Sequence, residues 1–220
     1  MSLSKQEICR QLLDPGIIAI LRADSSESLV AATEALYTGG VTAVEVTMTT
    51  PNALQVIGDV VATFPGRVLM GAGTVLDAES CRAAIMAGAE FIVTPVTKPE
   101  IIRMATRYGK PVAIGAFTPT EALLGYENGA DFIKIFPADQ LGPGYIRNVR
   151  APLPMLQMIP TGGVTPENLA AYVHAGAVAV GAGSTLVDKA ALRTGNWAAI
   201  TARAQEFVSA MQAARLSTTI

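Results

Sequence analysis

The stretch NGADFIKIFP, residues 128–137, combines the two signals that decide the fold of this chain. Gly129 follows a helical pattern, and a glycine after a helix supplies the left-handed conformation that ends it. The apolar run that comes next is short and rich in Ile and Phe, which is typical of a buried β-strand. The stretch therefore predicts a helix that ends at a glycine and is followed directly by a buried strand.

The same pattern recurs along the chain at regular intervals. The glycines Gly88, Gly109 and Gly129 are 21 and 20 residues apart, and the intervals Gly40 to Gly88 and Gly129 to Gly176 each leave room for one more unit. The segments with strand character are GIIAILR (16–22), TGGVTAVEVTM (38–48), GRVLMGAGT (66–74), AGAEFIVTPV (87–96), YGKPVAIGAF (108–117), NGADFIKIFP (128–137), LQMIPTGG (156–163) and HAGAVAVGAG (174–183). We therefore predict eight strands, each followed by a helical segment.

The strand ends carry signals for helix starts. Threonine stands beside an early proline or acidic residue after several strands, and threonine and aspartate are good N-terminal caps. The predicted caps are Thr50, Thr97, Thr118 and Thr165, with Asp24 and Asp77 in two further units. We also expect a helix near residues 3–13, with Ser4 and Glu7 as a capping box, and a final helix near residues 196–213.

Eight consecutive strand–helix units predict a closed (β/α)₈ TIM barrel. We interpret residues 1–220 as a single barrel domain, with the first helix capping the N-terminal end. A doubly wound open sheet is the alternative fold. Its dinucleotide-binding fingerprint is missing after the first strand, because LRADSS contains no glycine.

Composition excludes several classes of protein and of site. Half of the residues are hydrophobic, only 15% are charged, and the net charge is −2 without a basic block, so we expect neither nucleic acid nor membrane as a partner. No apolar run reaches roughly 18 residues and no signal peptide is recognisable, which favours a cytoplasmic protein. The two cysteines have no zinc or disulfide spacing, and His174 is the only histidine. We therefore expect no metal and no cofactor.

Three charged residues occupy strand interiors or ends: Arg22, Glu45 and Lys134. Side chains alternate between the lumen and the helix layer in a barrel strand, so Glu45 and Lys134 are predicted to face the lumen. A buried salt bridge that fills the barrel is one interpretation, although such pairs are rarely net stabilising against apolar replacements. The other interpretation is catalytic. Burial disfavours the ammonium form of a lysine, and a free amine attacks a ketone to form a Schiff base. Glu45 is placed to carry protons for that chemistry.

The loops after the seventh and eighth strands carry paired glycines: Gly162 and Gly163 in one, and Gly183 with Ser184 in the other. Many TIM barrels bind phosphate at these two loops through backbone N–H groups, so we predict a phosphate site; tight-turn geometry alone is the alternative. Arg22 and Thr74 are candidates to hold a substrate carboxylate by charge-assisted hydrogen bonds. For Arg22 the alternative is a solvated charge at the barrel rim.

These segments together resemble the bacterial 2-keto-3-deoxy-6-phosphogluconate (KDPG) aldolases and the related 6-phosphogalactonate aldolases. The resemblance runs from residue 17 to residue 187 through IIAILRA, GGVTAVEVT, GAGTVL, FIVTP, TPTEA, FIKIFPA, PTGGVTPEN and VGAGSTLV. It implies a metal-free class I aldolase on a (β/α)₈ barrel, usually a homotrimer. The implied reaction is reversible cleavage of KDPG to pyruvate and glyceraldehyde 3-phosphate.

Carried onto this sequence, the resemblance implies that Lys134 forms the Schiff base and that Glu45 is the general acid and base. It places Thr74 and Arg22 at the pyruvoyl carboxylate, Pro95 and Phe136 on the pocket wall, Thr161 near the substrate hydroxyls, and the phosphate at the residues Gly162, Gly163, Gly183 and Ser184.

The sequence departs from the family pattern at a few positions. Thr49 stands where some members carry an arginine, and Gly115-Ala116 stands where Pro-Gly is frequent. Thr161 resembles the phosphogluconate branch, since the phosphogalactonate branch tends to carry an apolar residue there. Alternative substrates are 2-keto-3-deoxy-6-phosphogalactonate and 4-hydroxy-2-oxoglutarate, and the alternatives from other classes are a phosphosugar isomerase or epimerase and an inactive binding barrel.

Overall fold

The computed structural model describes residues 3–22 and 26–218, in which strands and helices alternate along the chain. The strands are β1 (Ile17–Leu21), β2 (Ala43–Thr47), β3 (Leu69–Gly73), β4 (Phe91–Val93), β5 (Val112–Ala116), β6 (Phe132–Ile135), β7 (Met158–Pro160) and β8 (Val180–Ala182). The helices are α1 (Lys5–Leu13), α2 (Ser26–Thr38), α3 (Ala53–Thr63), α4 (Ala78–Met86), α5 (Pro99–Arg107), α6 (Pro119–Glu127), α7 (Gly142–Arg150), α8 (Pro166–His174), α9 (Lys189–Thr194) and α10 (Trp197–Thr218), with a 3₁₀ turn at Ala138–Gln140.

The eight strands form one parallel sheet that closes into a barrel. From β1 to β7 each strand pairs with the next one along the chain, and β8 pairs with β1. The remaining seam, between β7 and β8, is joined by a bridge between Thr161 and Gly181 and by a 3.0 Å hydrogen bond from the Val178 N–H to the Met158 carbonyl. The predicted (β/α)₈ barrel is confirmed, and the doubly wound open sheet is excluded because the last strand returns to the first.

Several helices begin at the predicted caps. The Asp77 carboxylate accepts a 2.6 Å hydrogen bond from the Ser80 N–H at the start of α4. Ser4 and Thr118 each form a capping box with the glutamate three residues later, at α1 and α6. Asp24 lies outside the described residues.

Two predicted caps were wrong. The Thr97 hydroxyl donates to the Gly115 carbonyl at 2.8 Å, and Lys98 is the residue that precedes α5. The Thr50 hydroxyl lies 3.3 Å from the Thr47 hydroxyl, and α3 begins after Asn52. Each threonine hydroxyl is hydrogen-bonded to a group on a neighbouring strand or in the same loop instead of to a helix N–H. Local sequence does not reveal such partners.

Helix α1 closes the N-terminal end of the barrel, as predicted. Its residues Ile8 and Leu12 are buried against side chains that fill the lower lumen, namely Ile18, Ala43, Leu69, Phe91, Val93, Ala113, Phe132, Ile159 and Ala179. The Lys5 ammonium lies 2.9 Å from the Asp131 carboxylate just before β6. The lower half of the lumen is therefore a packed apolar core, as in other TIM barrels.

The second core lies between the strands and the surrounding helices. Helix α10 packs against α2 and α8 and extends beyond the predicted residue 213. The guanidinium of Arg215, near its end, donates to the Asp14 carbonyl at 2.6 Å and to the Leu13 carbonyl at 2.7 Å. Among the described residues, no helix combines the length and the apolar character that crossing a bilayer requires.

Candidate active site

Glu45 on β2 and Lys134 on β6 both point into the upper lumen. Their strand neighbours Val44, Val46 and Ile133 belong to the outer core beneath the helices, which places Glu45 and Lys134 on the opposite, inner faces of their strands. The exposed fractions of Glu45 and Lys134 are 2% and 5%. The predicted orientation of both residues is confirmed, and the upper lumen of the barrel encloses an acid and an amine.

The Glu45 carboxyl is buried without full hydrogen bonding. Burial raises the pKa of Glu45 above its ordinary value, and the positive charges of Lys134 and Arg22 oppose that rise. The carboxyl oxygen Oε1 has no hydrogen-bond partner, and the ion pairs in the described part of the chain do not include one between Glu45 and Lys134. The alternative of a salt bridge that simply fills the barrel is therefore wrong.

The position of the Glu45 carboxyl depends on a glycine of the neighbouring strand. Strands β2 and β3 are paired in parallel, with Thr47 opposite Gly73. A Cβ atom on Gly73 would overlap Oε1 of Glu45. The absence of a side chain at this position gives the carboxyl its place against the barrel wall.

Lys134 lies between a small and a large neighbour on the adjacent strands. Its partners in register are Gly115 on β5 and Ile159 on β7. Its Nζ atom lies 5.1 Å from the centre of the Phe136 ring, within the range of a cation–π contact. Phe136 is 39% exposed, so its ring lies between the buried Lys134 amine and the solvent at the open end of the barrel.

A cluster of threonine hydroxyls lies above Glu45 on the same side of β2. The Thr47 Oγ1 atom lies 3.0 Å from Thr49 Oγ1 and 3.3 Å from Thr50 Oγ1. It also accepts a hydrogen bond of 3.5 Å from Nε of Arg22. The Thr47 hydroxyl thus links the Arg22 side chain by a hydrogen bond to β2, the strand that contains Glu45.

A cavity of about 330 Å³ opens at the C-terminal ends of β1, β6, β7 and β8. Predicted site residues make up much of its wall: Arg22, Phe136, Thr161, Gly162, Gly163, Gly183 and Ser184. Lys189, from the start of α9, also lines it, and Ile20, Thr185, Val187 and Leu192 complete the wall. The two glycine loops that the sequence predicts as a phosphate site therefore line the same cavity as Arg22.

Thr74 and Pro95 lie outside that wall, beyond the ends of β3 and β4. Thr74 has a φ of +55°, the left-handed conformation that a β-branched residue rarely adopts. Such strain costs of the order of 1–3 kcal/mol and clusters at functional sites. Since Thr74 directly follows Gly73, the strained turn begins next to the Glu45 carboxyl.

The site also contains residues that sequence reasoning missed: Thr47, Thr50, Gly73 and Lys189. For Thr47 a signal was present, because residues two apart on a strand share a face and Glu45 was already placed in the lumen. For Gly73 and Lys189 no such signal existed, since their roles come from strands and loops distant in sequence. Among residues 3–22 and 26–218, no group of three or more His, Cys, Asp and Glu side chains is arranged to hold a metal ion.

Together these features allow one type of chemistry above others. A buried amine together with a buried carboxyl whose Oε1 atom has no hydrogen-bond partner suits covalent catalysis on a carbonyl with proton transfer. The adjoining cavity offers backbone N–H groups and two cationic side chains, which suits an anionic substrate.

Comparison with known proteins agrees with this arrangement. The family model for KDPG and KHG aldolases matches residues 7–203. The 2-dehydro-3-deoxy-6-phosphogalactonate aldolase of Escherichia coli is 41% identical over 171 residues, 77% of this chain and 83% of the relative. The 2-dehydro-3-deoxy-phosphogluconate aldolase of Pseudomonas aeruginosa is 34% identical over 194 residues, 88% of this chain and 86% of the relative.

Solved structures with the same fold also show sequence similarity to this chain. A cube-shaped protein cage designed by fusing symmetric oligomeric domains has a TM-score of 0.85 at 36% identity, covering 92% of this chain and 74% of the cage chain. The KDPG aldolase of Legionella pneumophila was solved with pyruvate captured at low pH as a covalent carbinolamine intermediate. It has a TM-score of 0.81 at 28% identity, and the match covers 87% of this chain and 97% of that chain. With its matched family model and two lumenal charges on a closed barrel, this chain belongs to the KDPG and KHG aldolase family.

Proposed function

We propose that this protein is a class I aldolase that reversibly cleaves 2-keto-3-deoxy-6-phosphogluconate to pyruvate and glyceraldehyde 3-phosphate through a Schiff base on Lys134. The observation that carries the proposal is the pair of buried groups in the lumen, Lys134 and Glu45, which are 5% and 2% exposed and do not form an ion pair. A merely structural pair would be in contact, whereas a catalytic pair needs space for a substrate between its members.

The reaction begins at the 2-keto carbon. The free amine of Lys134 adds to the carbonyl to give a carbinolamine, which loses water to become the imine. Both steps move a proton, and the Glu45 carboxyl is the group available to donate and accept it, directly or through one water. Its raised pKa suits this role, because a carboxyl that retains its proton closer to neutral pH can serve as an acid as well as a base.

Cleavage follows from the protonated imine. Loss of the proton from the C4 hydroxyl forms the aldehyde and breaks the C3–C4 bond, and the electron pair of that bond enters the imine to give an enamine. The enamine takes up a proton at C3, and hydrolysis of the resulting imine releases pyruvate and regenerates the amine. Glu45 faces the same lumen as Lys134 and is the base proposed for the C4 hydroxyl.

The two ends of the substrate carry negative charge, and the proposal assigns each end to a different part of the site. Gly162, Gly163, Gly183 and Ser184, which line the cavity, are assigned to the phosphate. Thr74 is assigned to the pyruvoyl carboxylate together with Arg22, whose Nε is hydrogen-bonded to Thr47. Pro95 and Phe136 are assigned to the wall around the reacting carbon.

The preference for phosphogluconate rests on Thr161, which is 5% exposed and lines the cavity. A hydroxyl at this position offers a hydrogen-bond partner to the hydroxyls in the middle of the substrate. The alternative substrate is 2-keto-3-deoxy-6-phosphogalactonate, favoured by the greater identity to the phosphogalactonate aldolase. Activity on 4-hydroxy-2-oxoglutarate needs the pyruvoyl half of the site without the phosphate.

We further propose a cytoplasmic homotrimer in which each copy contributes one barrel domain of residues 1–220. Three large apolar side chains that follow neighbouring strands support an interface: Leu76, Val96 and Phe117 are 46%, 42% and 45% exposed. Large exposed apolar residues gathered at one end of a domain favour contact with another chain, and these three residues follow β3, β4 and β5. Sedimentation of the purified protein as a monomer at micromolar concentration would contradict this assembly.

Reductive trapping tests the proposed chemistry. Incubation with pyruvate and sodium borohydride is expected to add one reduced pyruvate to the chain at Lys134, seen by mass spectrometry. The adduct is expected to be lost in Lys134→Met and retained in Lys98→Met, which removes an exposed lysine instead. A wild-type protein that forms no adduct would rule out the Schiff base and favour the phosphosugar isomerase or the inactive binding barrel.

The role of Glu45 is tested by Glu45→Gln. We expect turnover to fall by roughly 10²–10⁴, the range for general acid–base groups, while the thermal unfolding transition stays cooperative. The amide has nearly the same shape but does not exchange a proton, so the loss isolates proton transfer from packing. Turnover within a few-fold of wild type would show that another group carries the proton.

The glycine beside the carboxyl is tested by Gly73→Ala. The added methyl group displaces the Glu45 carboxyl, and misplacement of a catalytic group by about 1 Å is able to lower the rate by roughly 10²-fold. We expect turnover to fall by about 10- to 10³-fold. Gly144→Ala is the matched control, because no heavy atom lies within 4 Å of a Cβ at that position on α7, and its turnover should equal that of wild type. Equal turnover in the two variants would refute the positioning role of Gly73.

Substrate preference is tested by comparing kcat/KM for KDPG, its phosphogalactonate epimer and 4-hydroxy-2-oxoglutarate. We expect KDPG to be highest and 4-hydroxy-2-oxoglutarate lowest, since the latter has no phosphate for the glycine loops. Thr161→Val should reduce the difference between the two epimers because it removes the hydroxyl that distinguishes them. A higher value for the phosphogalactonate epimer in the wild type would establish the alternative substrate.

A further inference from the structure

The cavity at the ends of β1, β6, β7 and β8 has two cationic side chains on its wall, Arg22 and Lys189, and the wall residues within the described ranges 3–22 and 26–218 include no carboxylate. We propose that Lys189 is a specificity-determining residue, whose ammonium neutralises the terminal phosphate of the substrate and sets how strongly the enzyme prefers a phosphorylated aldehyde. This inference rests on the proposed aldolase function and concerns the part of the site farthest from the Schiff base.

The start of α9 directs Lys189 and its preceding residue to different sides. Oδ1 of Asp188 accepts hydrogen bonds from the N–H groups of Ala190 and Ala191, at 2.8 and 2.9 Å. Asp188 lines a separate cleft between α9 and α10, whereas Lys189 lines the cavity of the glycine loops. The Asp188 carboxylate is thus held by the first turn of its own helix and lines a different cleft from Lys189.

Lys189 is also unoccupied by other interactions. In the described ranges, 3–22 and 26–218, its ammonium takes part in neither an ion pair nor a hydrogen bond. Arg22, by contrast, donates to Thr47 and acts electrostatically on Glu45. The two cations therefore lie on different sides of the cavity. Arg22 lies on the side of Thr47 and Glu45, and Lys189 lies with the residues that follow the loop of Ser184.

The chemistry of the glycine loops explains what Lys189 adds. Backbone N–H groups and the Ser184 hydroxyl donate hydrogen bonds to an anion but bring no net charge. A phosphate monoester carries roughly 1.5–2 negative charges at neutral pH, and a lysine ammonium on its flexible stem supplies a compact positive charge that follows it. The expected contribution is electrostatic and hence sensitive to salt.

The test uses the condensation direction, in which one donor meets two acceptors that differ only in phosphate. Pyruvate is condensed with D-glyceraldehyde 3-phosphate or with D-glyceraldehyde, and the ratio of the two kcat/KM values is the preference for phosphate. Because Lys189 is exposed, we expect this ratio in Lys189→Gln to fall by about 2- to 5-fold at low ionic strength, the range for an exposed ion pair, and by less at high salt. Lys189→Arg should restore most of the ratio because it keeps the charge.

The matched control is Arg193→Gln, which removes an exposed positive charge from the same helix but not from the cavity wall. Its ratio and its activity should equal those of wild type. A ratio unchanged in Lys189→Gln, or lowered equally in both variants, would overturn the role of Lys189. Pyruvate trapping with borohydride is measured on each variant: if wild-type trapping fails, the aldolase proposal fails, whereas intact trapping with an unchanged ratio refutes only this inference.

Discussion

Two buried groups of opposite charge that attract each other without touching are the feature on which the site depends. Burial raises the pKa of Glu45, and the charges of Lys134 and Arg22 oppose that rise. Leaving a buried acceptor such as Oε1 without a partner costs about 1–3 kcal/mol. The barrel maintains this separation because the two residues stand on β2 and β6, whose backbones are fixed by pairing on both sides. The proposed acid–base role of Glu45 gives a reason for this cost in stability.

Along the barrel axis, the apolar side chains that stabilise the lumen lie at one end and the polar candidate site residues lie at the other. Its lower half is closed by α1 and filled with apolar side chains such as Phe91, for which Gly71 leaves space. Its upper half contains Glu45, Lys134 and the threonine hydroxyls around Thr47. Polar groups that would destabilise a uniform core are thus confined to one end, where the strand ends and their loops reach a substrate. The apolar half offsets the destabilisation that the polar half introduces.

Sequence predicted the parts of this arrangement that follow from local periodicity. The recurring glycine and strand pattern gave eight units, and alternation along a strand placed Glu45 and Lys134 in the lumen, both of which are confirmed. The wrong caps at Thr50 and Thr97 share a cause, because each hydroxyl found a partner that tertiary structure brought near. The place of Gly73 was equally hidden. From sequence alone, a glycine in GAGT indicates a flexible turn. The register of β2 against β3 is needed to show that a side chain at Gly73 would overlap the Glu45 carboxyl.

The cavity at β7, β8 and α9 extends this separation to the substrate. Schiff-base formation requires only the 2-keto group, and its residues lie on strands whose positions the whole barrel fixes. In the proposed reaction, recognition of the distal phosphate is assigned to loops and to the first residue of the six-residue helix α9, which lie outside the lumen. Substitutions at Lys189 or Ser184 should therefore alter which aldehyde is accepted, while substitutions at Gly73 or Glu45 alter whether the bond is cleaved at all. If both proposals hold, specificity and reactivity are separable in this fold, because the first is assigned to loops and the second to paired strands.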